Sequence, residues 1–531
     1  MMRRCIDRSD IQAIAWTGFG SLRGASYVLL RVVEPRAARR WLRSLRPTSI
    51  ADLCAGGVKQ HVDEGMQIAF TAPGLRALEI DAAVLQRFSP EFVEGMGSDA
   101  SRSRRLGDTG ANAPANWDWG VGDKEPHILL ILLATPERME ELASQMQSQA
   151  EAAGLSAIAI LRTSDMGDVE PFGFADGVSQ PTFDWDDLRT PGTKADRDYT
   201  NLLALGELLL GYRNEYGLLT DRPLLGANEK NAAILPKAFH PRATHDLGLN
   251  GTYLVYRQLA QDVRAFWRWV AAEASRCGVA MESLAESAVG RRLDGSPLAD
   301  LVLSRSILGD DARDSRRNGF RFDTDPDGLS CPVGAHIRRA NPRTGDAPGG
   351  RRGPVDDLLV TLGLTTRRVQ RATSSTLPWP RNTTIWPFIR SEDDAIASAR
   401  FHRILRRGRE YGSKIDRRAA IDPATPDPKA GLHFLCLNAN IGRQFEFVQT
   451  AWIASAKFAG LTGEQDPLLG NREPHPSAPI AATPQRTDGF SRPGAAPNCR
   501  HASGLPQFVT VRGGAYFFLP GLSAVKWIAS D

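Results

Sequence analysis

Apolar and polar positions fall into a strand–helix rhythm that occurs twice along the chain. From Gly24, GASYVLLRVVEPRAARRWL begins as an apolar run rich in β-branched and aromatic residues. It continues as a segment whose apolar positions recur at helical spacing. From Asn250, NGTYLVYRQLAQDVRAFWRWV repeats the pattern: at a shift of 226 residues Tyr27 meets Tyr253, Arg31 meets Arg257 and Trp41 meets Trp267. A second pair supports the first. HILLILLATPERMEELASQMQSQAEAAG from His127 and HFLCLNANIGRQFEFVQTAWIASAKF from His433 each read as a strand passing into a helix.

Two strand–helix units per half suggest sheets covered by helices. A ferredoxin-like duplication fits this alternation. A doubly wound sheet fits it too, although no GxGxxG follows a strand. Three stretches between the units are rich in turn formers: residues 96–122, 342–356 and 464–505. The first two flank the chemically interesting motifs; the third reads as a long surface loop, a decoration of the second half.

At 531 residues the chain exceeds one ordinary core. Lys plus Arg is 65 against 61 Asp plus Glu, a net charge of +4 that does not point to nucleic acid, and the basic run around 402–410 reads as a solvated face. The six cysteines, at 5, 54, 277, 331, 436 and 499, form no CxxC and no zinc spacing, which reads as free thiols in a reducing compartment. The first residues, MMRRCIDRSDIQAIAW, lack a signal-peptide core, and no apolar run approaches the ~20 residues of a membrane helix. The expectation is a cytoplasmic protein that binds neither nucleic acid nor membrane; nothing indicates its oligomeric state.

Three strings can carry chemistry. In PFGFADGVSQP, residues 171–181, glycines bracket Asp176 and phenylalanines stand beside it. Such a carboxylate is partly desolvated and suits general acid/base work, though Gly-Asp-Gly in isolation is also an ordinary turn. In CPVGAHIRRANPR, residues 331–343, His336 is a lone imidazole able to bind haem iron, with Arg338, Arg339 and Arg343 at hand for carboxylates. Alone, it reads more readily as a structural histidine among solvated arginines. In FHRILRRGREYG, residues 401–412, Arg406 follows the apolar pair Ile404 and Leu405 and can be drawn inward with them.

Taken together and in this order, GFADG, HIRRANPR and ILRRGREYG resemble the three haem-site signatures of dye-decolourising peroxidases. The resemblance extends through RRLGDTGANAPANWDWG, GELLLGYRNEYG, GLHFLCLNANIGRQFEFVQ and RGGAYFFLPGLSAV. The long inserts look most like the larger bacterial and fungal-like subgroups. The resemblance implies an α+β fold of two ferredoxin-like halves, here 1–240 with GFADG and 241–531 with the proximal histidine and distal arginine. It implies one haem b per chain, held in the C-terminal half, with His336 as iron ligand. Asp176 would be the distal acid/base and Arg406 the distal arginine. Gly177, Val178 and Ser179 would run along the haem edge, Asn341 and Arg343 would lie near the propionates, and Leu432 and Phe434 would roof the distal side. The implied activity is reduction of hydrogen peroxide with one-electron oxidation of an organic donor such as a dye or phenol, favoured at acidic pH. A haem storage or transfer protein without such turnover is the alternative, and a scaffold without haem is a further one. An acidic acceptor for the second nitrogen of His336 is expected. Related chains carry it near the position of Gly442, and Glu446 is close by, but no residue is assigned.

Overall fold

Nine strands, most of them apolar runs, assemble into one antiparallel sheet. The computed structural model describes residues 6–55, 58–186, 202–241, 243–299, 317–322, 324–343, 399–472 and 487–530. The strands are β1 (Gly24–Val32), β2 (Glu64–Phe70), β3 (Ile128–Ala134), β4 (Leu155–Arg162), β5 (Thr252–Gln261), β6 (Leu405–Arg406), β7 (Arg409–Tyr411), β8 (Gly431–Asn438) and β9 (Val509–Leu519). Their order across the sheet is β6-β8-β5-β9-β2-β3-β1-β4, with β7 also pairing β8.

The first four strands thus run β4-β1-β3-β2 and the later ones β9-β5-β8-β6, the same spatial order in each set. This is the ferredoxin-like arrangement, given twice by one chain. The first strands of the two sets, β1 and β5, are the two strings that echo each other in sequence. The sets join where β9 meets β2 at Phe518 opposite Phe70. Helices α1 (Pro35–Ser44) and α3 (Pro136–Ala152) follow β1 and β3, and α4 (Val263–Cys277) follows β5; α2 (Ala100–Leu106) lies between β2 and β3.

Both faces of the sheet are covered. On β1, Val28, Leu30 and Val32 join one core and Ala25, Tyr27 and Leu29 the other. That explains why the strand reads as a continuous apolar run rather than an alternation. Every residue of β3 is buried. No helix among the described residues is long and apolar enough to cross a membrane.

Four expectations change. The stretch 96–122 is not all loop: Asp99 accepts hydrogen bonds from the amides of Ser101 and Arg102 at 3.1 and 2.8 Å and so starts α2. The segment after β8 is helical but wider than α, with π-type turns over Gly442–Glu446 and Val448–Ile453. Cys277, at the end of α4, and Cys499 form a disulfide with Cα atoms 5.6 Å apart. A pairing across 222 residues leaves no spacing signal in the sequence; Cys54, Cys331 and Cys436 are free as expected, but Cys277 and Cys499 are not. The basic run around 402–410 is not a solvated face either, since Arg403 is buried and Arg407 donates to the Ile14 carbonyl at 2.8 Å. The turn-rich stretch 342–356 lies outside the described residues beyond Arg343.

Candidate active site

One face of the second strand set floors a cavity. Arg257, Leu259 and Gln261 of β5, Leu432 and Phe434 of β8, and Val509 and Val511 of β9 line it, in each strand at every second residue. The walls are the loop after β4, helix α5 (His336–Ala340), strand β6 and the π-helical segment.

Asp176 stands at the end of a tight loop. The Glu170 amide donates to the Phe174 carbonyl at 2.9 Å, and the Gly173 amide donates to the Glu170 carbonyl at 2.7 Å. Gly173 takes φ +99°, with no atom near where a Cβ would stand, so the glycine serves backbone conformation rather than space. The Glu170 carboxylate closes the loop from inside, accepting from the amides of Phe172 and Phe174, both at 3.0 Å. Gln261 Nε2 donates to it at 2.8 Å.

Arg406 reaches Asp176 from β6. Its Nη1 donates to Asp176 Oδ1 at 3.1 Å, and its amide donates to Gln180 Oε1 at 3.0 Å. Gly408, between β6 and β7, sits so close to β8 that a Cβ there would fall 2.3 Å from the His433 carbonyl oxygen. The glycine of ILRRGREYG therefore lets the two short strands hug β8 and hold Arg406 at the cavity.

His336 is the first residue of α5. Its Nδ1 lies 2.9 Å from Asp466 Oδ2. Asp466 is fully buried, and its Oδ1 accepts from the amides of Leu468 and Leu469 at 2.9 and 2.8 Å. Burial pushes this carboxyl up, but the imidazole and these amides outweigh it and the net displacement is downward. The imidazole is likewise pulled down by burial and raised overall by Asp466. With Nδ1 committed, Nε2 has no hydrogen-bond partner among the described residues, and His336 lines the cavity.

The segment read as a surface decoration therefore supplies a buried carboxylate that sets the tautomer of His336. Glu446, the residue near the expected position, is engaged elsewhere: it accepts from the Tyr516 hydroxyl at 2.9 Å and pairs with Arg102 at 3.0 Å. Within the sequence, Asp466 is marked only by an Asp-Pro in a turn-rich string, 130 residues from His336.

The remaining expected residues are placed as follows. Val178, Ser179, Asn341, Arg343, Leu432 and Phe434 line the cavity, while Gly177, at φ +71°, does not. Arg343 is buried over the Phe320 ring and reaches Ser179 Oγ at 3.4 Å. Arg338 and Arg339 are neither solvated nor on the cavity wall. Arg338 donates to the Cys331 carbonyl at 2.8 Å; Arg339 donates to those of Trp452 and Glu464 at 2.9 and 2.6 Å, tying α5 to the strap that carries Asp466. Arg291 and the buried Arg257–Asp108 pair also line the cavity and were not singled out from the sequence.

This donor set suits an iron macrocycle. A single imidazole with a fixed tautomer offers one axial nitrogen. Apolar side chains from β8, β9 and the π-helical segment offer flat packing, and Arg343 and Arg291 offer positive charge for acidic substituents. Asn341 Oδ1 is buried without a hydrogen-bond partner, an orphaned polar atom on the same wall. Among the described residues no group of three His, Cys, Asp or Glu side chains could hold a metal by protein ligands alone.

No protein-family model matches the chain. It is 26% identical over 473 residues to a multifunctional dye peroxidase of Amycolatopsis sp., covering 86% of this chain and 81% of the relative. It is 27% identical over 481 residues to a dye-decolorizing peroxidase of Mycetinis scorodonius, covering 88% and 76%. Among solved structures, a DyP-type peroxidase of Anabaena sp. matches with TM-score 0.65 at 22% identity over 98% of this chain and 94% of that one. An ancestral D-type dye-decolorizing peroxidase matches with TM-score 0.67 at 22% identity over 99% of this chain and all of that one.

Proposed function

We propose, on the premise that this chain belongs to the dye-decolourising peroxidase family, that it is a haem peroxidase reducing hydrogen peroxide at the expense of small aromatic donors such as phenols. One observation carries the reading: the same cavity is lined by His336, oriented by Asp466, and by Asp176, paired with Arg406. The relatives, named for dyes, support dyes as donors, and a neighbouring structure of a dye-decolorizing peroxidase in complex with 2,6-dimethoxyphenol supports phenols. The reading includes one haem b per chain and a division of the chain into halves 1–240 and 241–531.

When bound, haem supplies the redox chemistry of O–O cleavage. His336 would hold the iron through Nε2, and Asp466 would keep Nδ1 as the protonated nitrogen and strengthen the ligand. Asn341 and Arg343 would meet the propionates. Val178 and Ser179 would follow the macrocycle edge, with Gly177 turning the backbone beside them, and Leu432 and Phe434 would exclude water from the macrocycle. Asp176 would take a proton from hydrogen peroxide and return it to the oxygen that leaves as water. Arg406 would stabilise the negative charge that grows on that oxygen through its guanidinium donors.

The test is spectroscopic. Purified protein given haem should show a Soret band that changes within the mixing time on one equivalent of hydrogen peroxide and returns on adding 2,6-dimethoxyphenol. A band indifferent to peroxide would instead favour haem storage or transfer. Asp466→Asn keeps an acceptor for His336 but removes the charge, and is expected to weaken haem retention or peroxide turnover by about 10- to 100-fold. Titration of apoprotein with haem measures the first and steady-state rates the second; unchanged values in both would remove Asp466 from the site.

A further inference from the structure

The peroxidase reading uses one carboxylate on the Asp176 loop, yet that loop carries two into the cavity. Glu170 lines the cavity wall and keeps only part of its surface open. Its three side-chain partners are uncharged donors: the Phe172 and Phe174 amides and the Gln261 side chain. Other charged groups on this wall are Asp176 held by Arg406, His336 held by Asp466, Arg257 held by Asp108, and the further arginines 291, 343 and 403. No cation pairs with Glu170 among the described residues.

We propose that Glu170 is a proton-holding positioning residue of the site: it clasps the loop that presents Asp176, and its ionisation switches off the assistance that Asp176 and Arg406 give. The inference rests on the peroxidase reading for its rate effect and on geometry for the rest. The clasp is direct, since both carboxylate oxygens bind backbone amides two and four residues on, leaving Asp176 two residues further along.

The proton also has somewhere to go. Gln261 Oε1 is buried without a hydrogen-bond partner, while its Nε2 serves the ionised carboxylate. Turning the amide over presents Oε1 to a protonated Glu170, so one neighbour can satisfy either state. Burial raises this carboxyl to about 7, against the pull of its three donors and with a further push from Asp176.

The consequence for chemistry follows from sign. Neutral Glu170 leaves Asp176 as the charge that Arg406 faces. Ionised Glu170 adds a second negative charge to the cavity wall and opposes the field that Arg406 exerts on the departing oxygen. Peroxide turnover should therefore fall as pH rises through the titration of Glu170. Stability moves in the same direction. A carboxyl raised in the folded state contributes stability that is complete below its ordinary range and is lost as pH rises to about 7.

The experiment compares wild type with Glu170→Gln and Glu170→Asp as haem-loaded protein. The peroxide-limited rate is followed from pH 5 to 9 by stopped flow, and thermal midpoints are followed over the same range. Wild type should lose about tenfold in rate per pH unit above its midpoint. Glu170→Gln, which cannot ionise, should lack that limb and should melt higher relative to wild type at pH 8 than at pH 5. Glu170→Asp should keep the limb but run slower at every pH, because its shorter side chain cannot reach both amides. An identical alkaline limb in wild type and Glu170→Gln, with a melting difference independent of pH, would overturn the proposal. If wild type does not react with peroxide at all, the peroxidase reading fails, while the melting comparison still decides whether Glu170 holds a proton. If Glu170→Gln does not fold, Glu170→Asp decides: a wild-type rate at every pH would remove the clasp.

Discussion

Replacing Asp176 with Asn should lower the peroxide-dependent rate by about 10²- to 10⁴-fold and leave the Soret band of the resting protein in place. The size follows from the absence of a substitute. A carboxamide keeps the shape of the side chain and can still accept from Arg406, but it cannot take up a proton and return it. Glu170 is the other carboxyl of this loop that lines the cavity, and its oxygens are already engaged by two backbone amides and Gln261. Asp108 is spent on Arg257 within a buried ion pair, and Asp466 belongs to His336. The separation between haem retention and turnover makes the prediction sharp, because Asp176 lies 160 residues before His336 in the chain and makes no hydrogen bond or ion pair with it among the described residues. Single-mixing stopped flow on the haem-loaded variant measures the rate. A value within threefold of wild type would show that some other group moves the proton.

What the sequence disclosed and what it withheld divide along physical lines. The duplicated sheet was legible because β1 and β5 are long apolar runs followed by helical periodicity, a signal contained within about twenty residues. Asp176 and Arg406 were legible as a pair only through the family resemblance, since 230 residues separate them and neither string is unusual by itself. Asp466 was not legible. Its burial and its bond to His336 come from a strap tied to α5 through Arg339, and the strap's composition, rich in Pro and Gly, is that of an exposed loop. The Cys277–Cys499 bond was hidden for the same reason, being a contact between the end of a helix and a distant turn. Glu170 was not legible either, because a glutamate just ahead of a Gly-rich turn is unremarkable as a residue type. What distinguishes it is the direction of its carboxylate, which folds back onto the amides of its own loop, and no pattern of residue types encodes that. The arginines of HIRRANPR show the converse error. Their charge suggested solvent or propionates, yet Arg338 and Arg339 are buried and spend their donors on backbone carbonyls.

Arg406→Leu should reduce the same rate by about 10²- to 10³-fold, with a different dependence on its surroundings from the loss at Asp176. Leucine can keep the short pairing of β6 with β8, because that pairing is made by backbone at Leu405 opposite Leu437 and Arg406 opposite Cys436. The amide bond to Gln180 survives for the same reason. What disappears is a guanidinium half-exposed to the cavity, 3.1 Å from the Asp176 carboxylate. The two residues act on one event, proton return to a departing oxygen whose charge the guanidinium meets, so their losses should not multiply. The double variant Asp176→Asn, Arg406→Leu is expected to fall well short of the product of the two single losses, as groups that work as a unit do. Rates for the four proteins under one set of conditions close the cycle. Strict multiplication would mean that the pair, though hydrogen-bonded, contributes through two independent steps, and the shared-event mechanism would have to be abandoned.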